Sequence, residues 1–218
     1  MKKLLFSLIV FFLLAFVAYK LFFYFDARSE KQELVLHISD KRLTLEQLLS
    51  IQEGDFILRR GFGYFSDIIA KKLNNSNYDV THAGIVVKRD NKLFVIHSLS
   101  SDVSSIDGMQ IQPLEDFLAY SMPGKIMVTS VKNSTPKIQQ QIAEKAEFYL
   151  SKKIPFDHNG TFDDDSEFYC TELIWHILEK DLRHLALPKE YDSRKKIFLT
   201  MTSMYSADYF DIKINTYK

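Results

Sequence analysis

From Leu4 to Phe25 the chain is apolar at nearly every position, with Lys20 the one charge. At about 1.5 Å per residue this run reaches across a hydrocarbon core of roughly 30 Å, with Lys20 snorkelling to the far surface. It has no polar face, so it does not suit a helix packed on a soluble core. Lys2 and Lys3 precede it and predict a cytoplasmic start, with the rest of the chain beyond the membrane. Two readings stand, an uncleaved anchor and a removed signal peptide. Ala15 and Ala18 are small, but Phe16 occupies the place where a small residue should precede Ala18, which favours the anchor. No cysteine follows the run, which excludes attachment as a bacterial lipoprotein.

Beyond the run the pattern changes. Residues 26–48 are rich in charge and read as a tether, with alternation over Glu33–Ser39 predicting a short strand and a helix following from Leu43 to Ser50. Asp55–Arg60 predicts a strand, and Ser66 is placed to cap a helix over Asp67–Leu73. His82–Lys88 and Lys92–Ser98 predict paired strands joined by the short turn Arg89-Asp90-Asn91. Pro113 opens a helix through Tyr120, and Lys125–Val131 predicts another strand. Thr135 and Pro136 start an amphipathic helix with Ile138, Ile142, Ala146 and Tyr149 or Leu150 on one face. A helix then runs from Cys170 to about Lys180, and the tail from 189 reads as an irregular excursion ending in a strand such as Tyr209–Ile214. The class expected is α+β, an antiparallel sheet packed with helices. The expected division is 1–25 as anchor or signal peptide, 26–48 as tether and 49–218 as one compact domain.

Composition narrows the function. Apolar residues make up 46% and aromatics 14% of the chain, so a core can be buried, and the formal net charge is zero. A nucleic-acid partner is therefore not expected, because it would call for a basic surface. Cys170 is the one cysteine, so no internal disulfide forms. It is read either as a small buried apolar residue or as a nucleophile. It immediately precedes a helix, whose free N–H groups and dipole favour an anion and predict a lowered thiol pKa.

A thiol nucleophile needs a base, and six histidines are available. With residues pairing at a sum of about 180 across the turn, His82 falls near residue 98 and beside His97. Two histidines together at one strand rim suit a Cys–His–His set, His82 as base and His97 orienting it. His176 falls on roughly the opposite helical face from Cys170, His184 lies at the helix C-terminus, and His37 lies in the tether. His158 with Asp157 and the run Asp163–Asp165 raises a metal site, and zinc on His82, His97 and Cys170 is a further reading. No compact ligand spacing supports either.

Four segments in order carry a resemblance: EGDFILRRGFGYFSDIIA, NYDVTHAGIVV, KLFVIHS followed by IQPLEDFLAY, and PFD with EFYCTELIW. Together they resemble the circularly permuted branch of the NlpC/P60 superfamily of papain-like cysteine hydrolases, close to the YiiX/YebB-like proteins. The similarity covers roughly residues 50–185. It implies that Cys170 is the nucleophile, His82 the base and His97 the third polar residue. Many permuted relatives have glutamate where His97 stands, and Phe156 stands where a tyrosine is common. Asp55 and Arg59 match the family's GD…R strand, and with Tyr169 they are the residues expected to contact substrate.

The expected reaction is acyl transfer through a thioester on Cys170, with no cofactor. The expected partners are the membrane, through the N-terminal run, and a cell-wall peptide or lipid acyl substrate on the extracytoplasmic side, at the inner membrane or in the periplasm. An idle binding module on the same fold is the alternative from another class.

Overall fold

The computed structural model describes residues 2–74, 78–160, 165–186 and 201–217. The excursion expected after residue 189 falls largely outside these residues, as do Asp163 and Asp164.

One six-stranded antiparallel sheet organises the chain. Its strands are β1 (Phe56–Gly61), β2 (His82–Arg89), β3 (Lys92–Leu99), β4 (Gly108–Pro113), β5 (Ser121–Val131) and β6 (Phe210–Asn215), in the order β4-β3-β2-β1-β5-β6. Strands alternate their side chains, so each face buries its own set. One face carries Phe56, Leu58, Ile85, Val87 and Ile96 under α5 (Pro136–Lys152) and α6 (Cys170–Trp175), which contribute Ile142, Ala146, Leu173 and Trp175. The other carries Ile57, Val86, Val95 and Val128 under α4 (Leu114–Ala119), which contributes Phe117 and Leu118. Trp175, Phe56 and Phe117 are fully buried; each such side chain stabilises the fold by roughly 1.5–3 kcal/mol through removal from water.

Local signals explain most boundaries. Thr135 caps α5, its hydroxyl accepting from Ile138 N–H at 3.3 Å, and Pro136 occupies the first turn where its missing N–H costs nothing. Asp90 and Asn91 both take positive φ, 50° and 61°, making the two-residue hairpin turn between β2 and β3. The helix beginning at Cys170 continues past Trp175 as a π-helical turn, His176–Asp181. β4 was not expected from the pattern, although Met109 and Ile111 alternate with Gln110 and Gln112.

The N-terminal region departs from expectation. Helix α1 runs unbroken from Lys2 to Leu36, so Glu33–Leu36 is helical and the expected strand does not form. Its apolar residues up to Ala18 are exposed apart from half-buried Val10, the state suited to lipid. Past Tyr19 the helix docks on the domain. Helix α3 (Gly63–Leu73) begins three residues before Ser66, and its cap comes from α1: Asp26 Oδ1 accepts from Phe65 N–H at 2.8 Å. Phe23 packs edge-on against Phe65 at 5.4 Å, and Tyr19 donates its hydroxyl to Asp102. Gly63, at φ 87°, leaves the space that Asp26 fills. Helix α2 (Leu45–Ser50) follows, closed by a capping box of Thr44 and Gln47.

Candidate active site

His82 opens β2 at the sheet rim, and Arg59 on β1 sits directly across from it. The β2–β3 register pairs Ile85 with Ile96 and Arg89 with Lys92, a sum of 181. The difference from the expected sum matters, because a one-residue slip sends every second side chain to the other face. At 180, His82 and His97 would point to opposite faces. At 181 they share one, His97 falling opposite Gly84. His82 Nε2 then lies 2.9 Å from His97 Nδ1. Both rings pack on Phe117, with centroids at 5.8 and 5.5 Å. The missing Cβ of Gly84 leaves room, since one built there would stand 2.3 Å from Val95 Cγ1 and 3.4 Å from His97 Cβ.

Cys170 reaches the same rim from the other side. Ser98 Oγ donates to Phe168 C=O at 2.5 Å, and Phe168 N–H donates to Pro155 C=O at 2.9 Å, which pins the chain just ahead of it. Glu172 accepts from Tyr169 N–H at 3.1 Å and closes the start of α6. Backbone N–H groups of Ala83, Thr171 and Cys170 point at the sulfur.

Burial dominates the electrostatics. It pushes the Cys170 thiol up to about 11, against the pull of those three N–H groups and of Arg59. The lowered pKa expected from the helix end is therefore not realised, because burial outweighs the N–H groups at the helix start. Burial holds His82 well below its usual value, helped by His97 and Arg59. It holds His97 down to about 3, with Arg59 adding to the effect and Gln112 opposing it. The resting site is thus a neutral thiol with two neutral imidazoles.

Cys170, Tyr169 and His82 line one cavity of about 520 Å³, which α1 completes with Tyr19, Phe23, Asp26 and Glu30. Of the residues expected to contact substrate, Tyr169 lines this cavity and Asp55 and Arg59 do not. Asp55, just ahead of β1, lies four residues from Arg59, about 13 Å away at the strand rise. There its carboxylate accepts from Lys213 Nζ at 2.6 Å and Gln52 N–H at 2.8 Å. Arg59 is buried behind His82, its guanidinium 4.6 Å from the Phe117 ring centroid. His176 packs on Phe168 at 4.9 Å, and His158 pairs with Asp107 at 3.0 Å. The wall supplied by α1 was missed from sequence, as was Gln112. The absence of glycine and proline from Lys2 to Glu53 was the available sign that the helix runs on.

A family profile described as permuted papain-like amidase enzyme, YaeF/YiiX, C92 family, matches residues 50–203, which hold Cys170, His82 and His97. No curated protein matches the chain. The fold is similar to a crystal structure titled metalloprotein yiiX from Escherichia coli O157:H7, with a TM-score of 0.58 and 19% identity over 77% of this chain and 98% of that one. With the profile spanning most of the chain, the protein belongs to the permuted papain-like amidase family of the YaeF/YiiX type.

Proposed function

We propose that the protein is a membrane-anchored cysteine amidase, kin to the NlpC/P60 hydrolases, that cleaves an amide bond of a cell-envelope substrate through a thioester on Cys170. The observation that carries this is that Cys170 and His82 line one cavity, with His97 bonded to His82 from outside it. With His82 Nε2–H donating to His97 Nδ1, the His82 Nδ1 lone pair is left free to act as base.

The thiol proton passes to His82 Nδ1 as sulfur attacks the substrate carbonyl carbon. The Cys170 and Thr171 N–H groups, which point at the sulfur, are the donors assigned to the developing oxyanion in this reading. Collapse of the tetrahedral intermediate breaks the C–N bond, and the imidazolium returns its proton to the departing amine. Water then attacks the thioester, losing a proton to His82, and the carboxylic acid leaves with the thiol restored. His97 holds the tautomer of His82 throughout. The anchor and the two N-terminal lysines support an extracytoplasmic site, within reach of cell-wall peptides and lipid acyl groups.

The solved relative is titled a metalloprotein. Here no group of three or more His, Cys, Asp or Glu side chains is placed to hold a metal among the described residues, and His82 and His97 are committed to each other. The described residues do not fit a metal centre, and no step involves one.

The test is turnover of a panel of peptide and acyl amides by the full chain in detergent, with intact-mass detection of an acyl adduct. An adduct on Cys170, with turnover lost in Cys170→Ala, is the expected result. Turnover that persists in Cys170→Ala overturns the proposal, and no turnover with the biological effect intact favours the binding module.

A further inference from the structure

We infer that Arg59 is a positioning residue of the reaction, holding a positive charge behind His82 and the Cys170 sulfur, and that Glu30 of α1 is its counter-charge. The membrane helix thereby sets the strength of that charge. The inference rests on the amidase reading for the reaction, but on the buried guanidinium for the charge.

Arg59 lies opposite His82 in the β1–β2 register and is 6% exposed. Its guanidinium stands 4.6 Å from the centroid of Phe117, the ring on which both imidazoles of the site pack. The one hydrogen bond of that guanidinium among the described residues, Nη1 to Phe117 C=O, is long at 3.5 Å, and Nε has no partner there. Arg60 next to it is buried as well, but it pairs with both Asp67 and Asp79. Arg59 pairs directly with no carboxylate among the described residues. Glu30, half-buried in the cavity wall, is its largest favourable charge partner, and Arg59 is that of Glu30.

Stacking on Phe117 is the plainer reading of this arginine. It explains the ring contact and leaves the charge unexplained, because burying a guanidinium on one weak hydrogen bond is unfavourable. The groups around the charge belong to the site. Helix α1 presents Glu30, with Asp26 beyond it, and β2 and β3 present His82 and His97. The end of α4 presents Tyr120, and α6 presents Cys170. Among the described residues Arg59 is the one charged side chain whose field reaches the sulfur. A fixed positive charge there favours the anion that forms on sulfur and keeps both imidazoles unprotonated, ready to accept. Glu30 tempers both effects, which lets His82 take the thiol proton during attack. Residue 30 lies outside residues 50–203, so the counter-charge comes from beyond the family-matched part of the chain.

The experiment uses the full chain in detergent micelles. Alkylation of Cys170 by iodoacetamide is read by intact mass at pH 8 to 10, beside the pH profile of kcat/KM on one amide. In Arg59→Met, similar in length and uncharged, alkylation at pH 8 is expected to slow by about 3- to 10-fold, the effect of roughly half to one pKa unit on a thiol. In Glu30→Gln it is expected to quicken by about 2- to 5-fold with Tm unchanged, because the field of Arg59 is then unopposed. Glu30→Asp stays near the parent. The acid limb of turnover moves up in Arg59→Met and down in Glu30→Gln. A merely structural role moves alkylation the same way in both variants, since loosened packing exposes the sulfur. Shifts in one direction, or no change in Glu30→Gln, overturn the inference. The Glu30→Gln arm decides it alone should Arg59→Met fail to fold. Opposite shifts with no amide cleaved would leave it standing and sink the amidase reading instead.

Discussion

His82 Nε2 faces His97 Nδ1 at 2.9 Å, and both rings are buried. Neither imidazole carries a charge at neutral pH, so one nitrogen of the pair donates and the other accepts. His82 serves as base towards the thiol when its own Nε2 holds the proton and His97 Nδ1 accepts it. His97 Nε2–H then points towards Gln112, whose side chain favours the protonated ring. His97→Asn keeps an acceptor near the Nδ1 position, whereas His97→Leu removes it. Turnover is expected to fall by about 10²- to 10⁴-fold in His82→Ala. His97→Leu should approach that loss and His97→Asn should recover part of it, read as kcat on one amide. Equal activity of the two His97 variants would remove His97 from the relay.

The Cys170 thiol, pushed up to about 11 by burial, should be a slow nucleophile in the resting protein. Iodoacetamide labelling followed by intact mass from pH 6 to 10 should show little reaction near neutrality and a rate still climbing at the top of the range. Proton removal then accompanies attack on substrate rather than preceding it. Fast labelling with a midpoint near pH 7 would instead mean a standing thiolate–imidazolium pair.

Sequence reading reached the sheet because β1, β2, β3, β5 and β6 each carry their own apolar alternation and turn residues. It brought Cys170 and the two histidines forward as candidates because a helix start and a hairpin are local features. The face that His97 takes was not local: it depends on one residue of register, fixed by Asp90 and Asn91 both adopting positive φ. The part of α1 past Phe25 was read as tether because charge there looks like solvation. Asp26 in that part is held by Phe65, and His37 just past the helix end stacks on Phe62, distant partners that no window of sequence displays. The thiol pKa was misjudged for a related reason, since burial is a property of the assembled fold.

Acid stability follows from the buried imidazoles. His82, His97 and His176 all have folded values below the ordinary 6.5, burial being the first cause in each. Below pH 6.5 the unfolded chain gains protons that the folded protein refuses, so stability present above that pH is lost as pH falls towards the folded values. For His97 the window extends down to about pH 3. Thermal melts should hold a constant Tm from about pH 7 to 8 and drop progressively below 6.5. His97→Asn, which does not titrate, should show a shallower decline. An equally steep decline in that variant would assign the acid sensitivity to other groups.

Gly84 separates packing from chemistry. A Cβ there stands 2.3 Å from Val95 Cγ1 and 3.2 Å from the Ile96 carbonyl oxygen, both fully buried. The side chain of Val95 is β-branched and held between the sheet and α4, so relief must come from the β3 backbone. That shift carries His97 away from His82. Gly84→Ala is expected to cost about 1–3 kcal/mol in chemical denaturation, the usual range for overpacking. It should lower kcat far more than the unfolded fraction explains, because an ångström of misplacement can cost about 10² in rate. Val95→Ala, added to Gly84→Ala, opens space on the contact side and should restore part of both. A double variant no better than Gly84→Ala would mean that the Ile96 carbonyl, and not Val95, limits the strand approach.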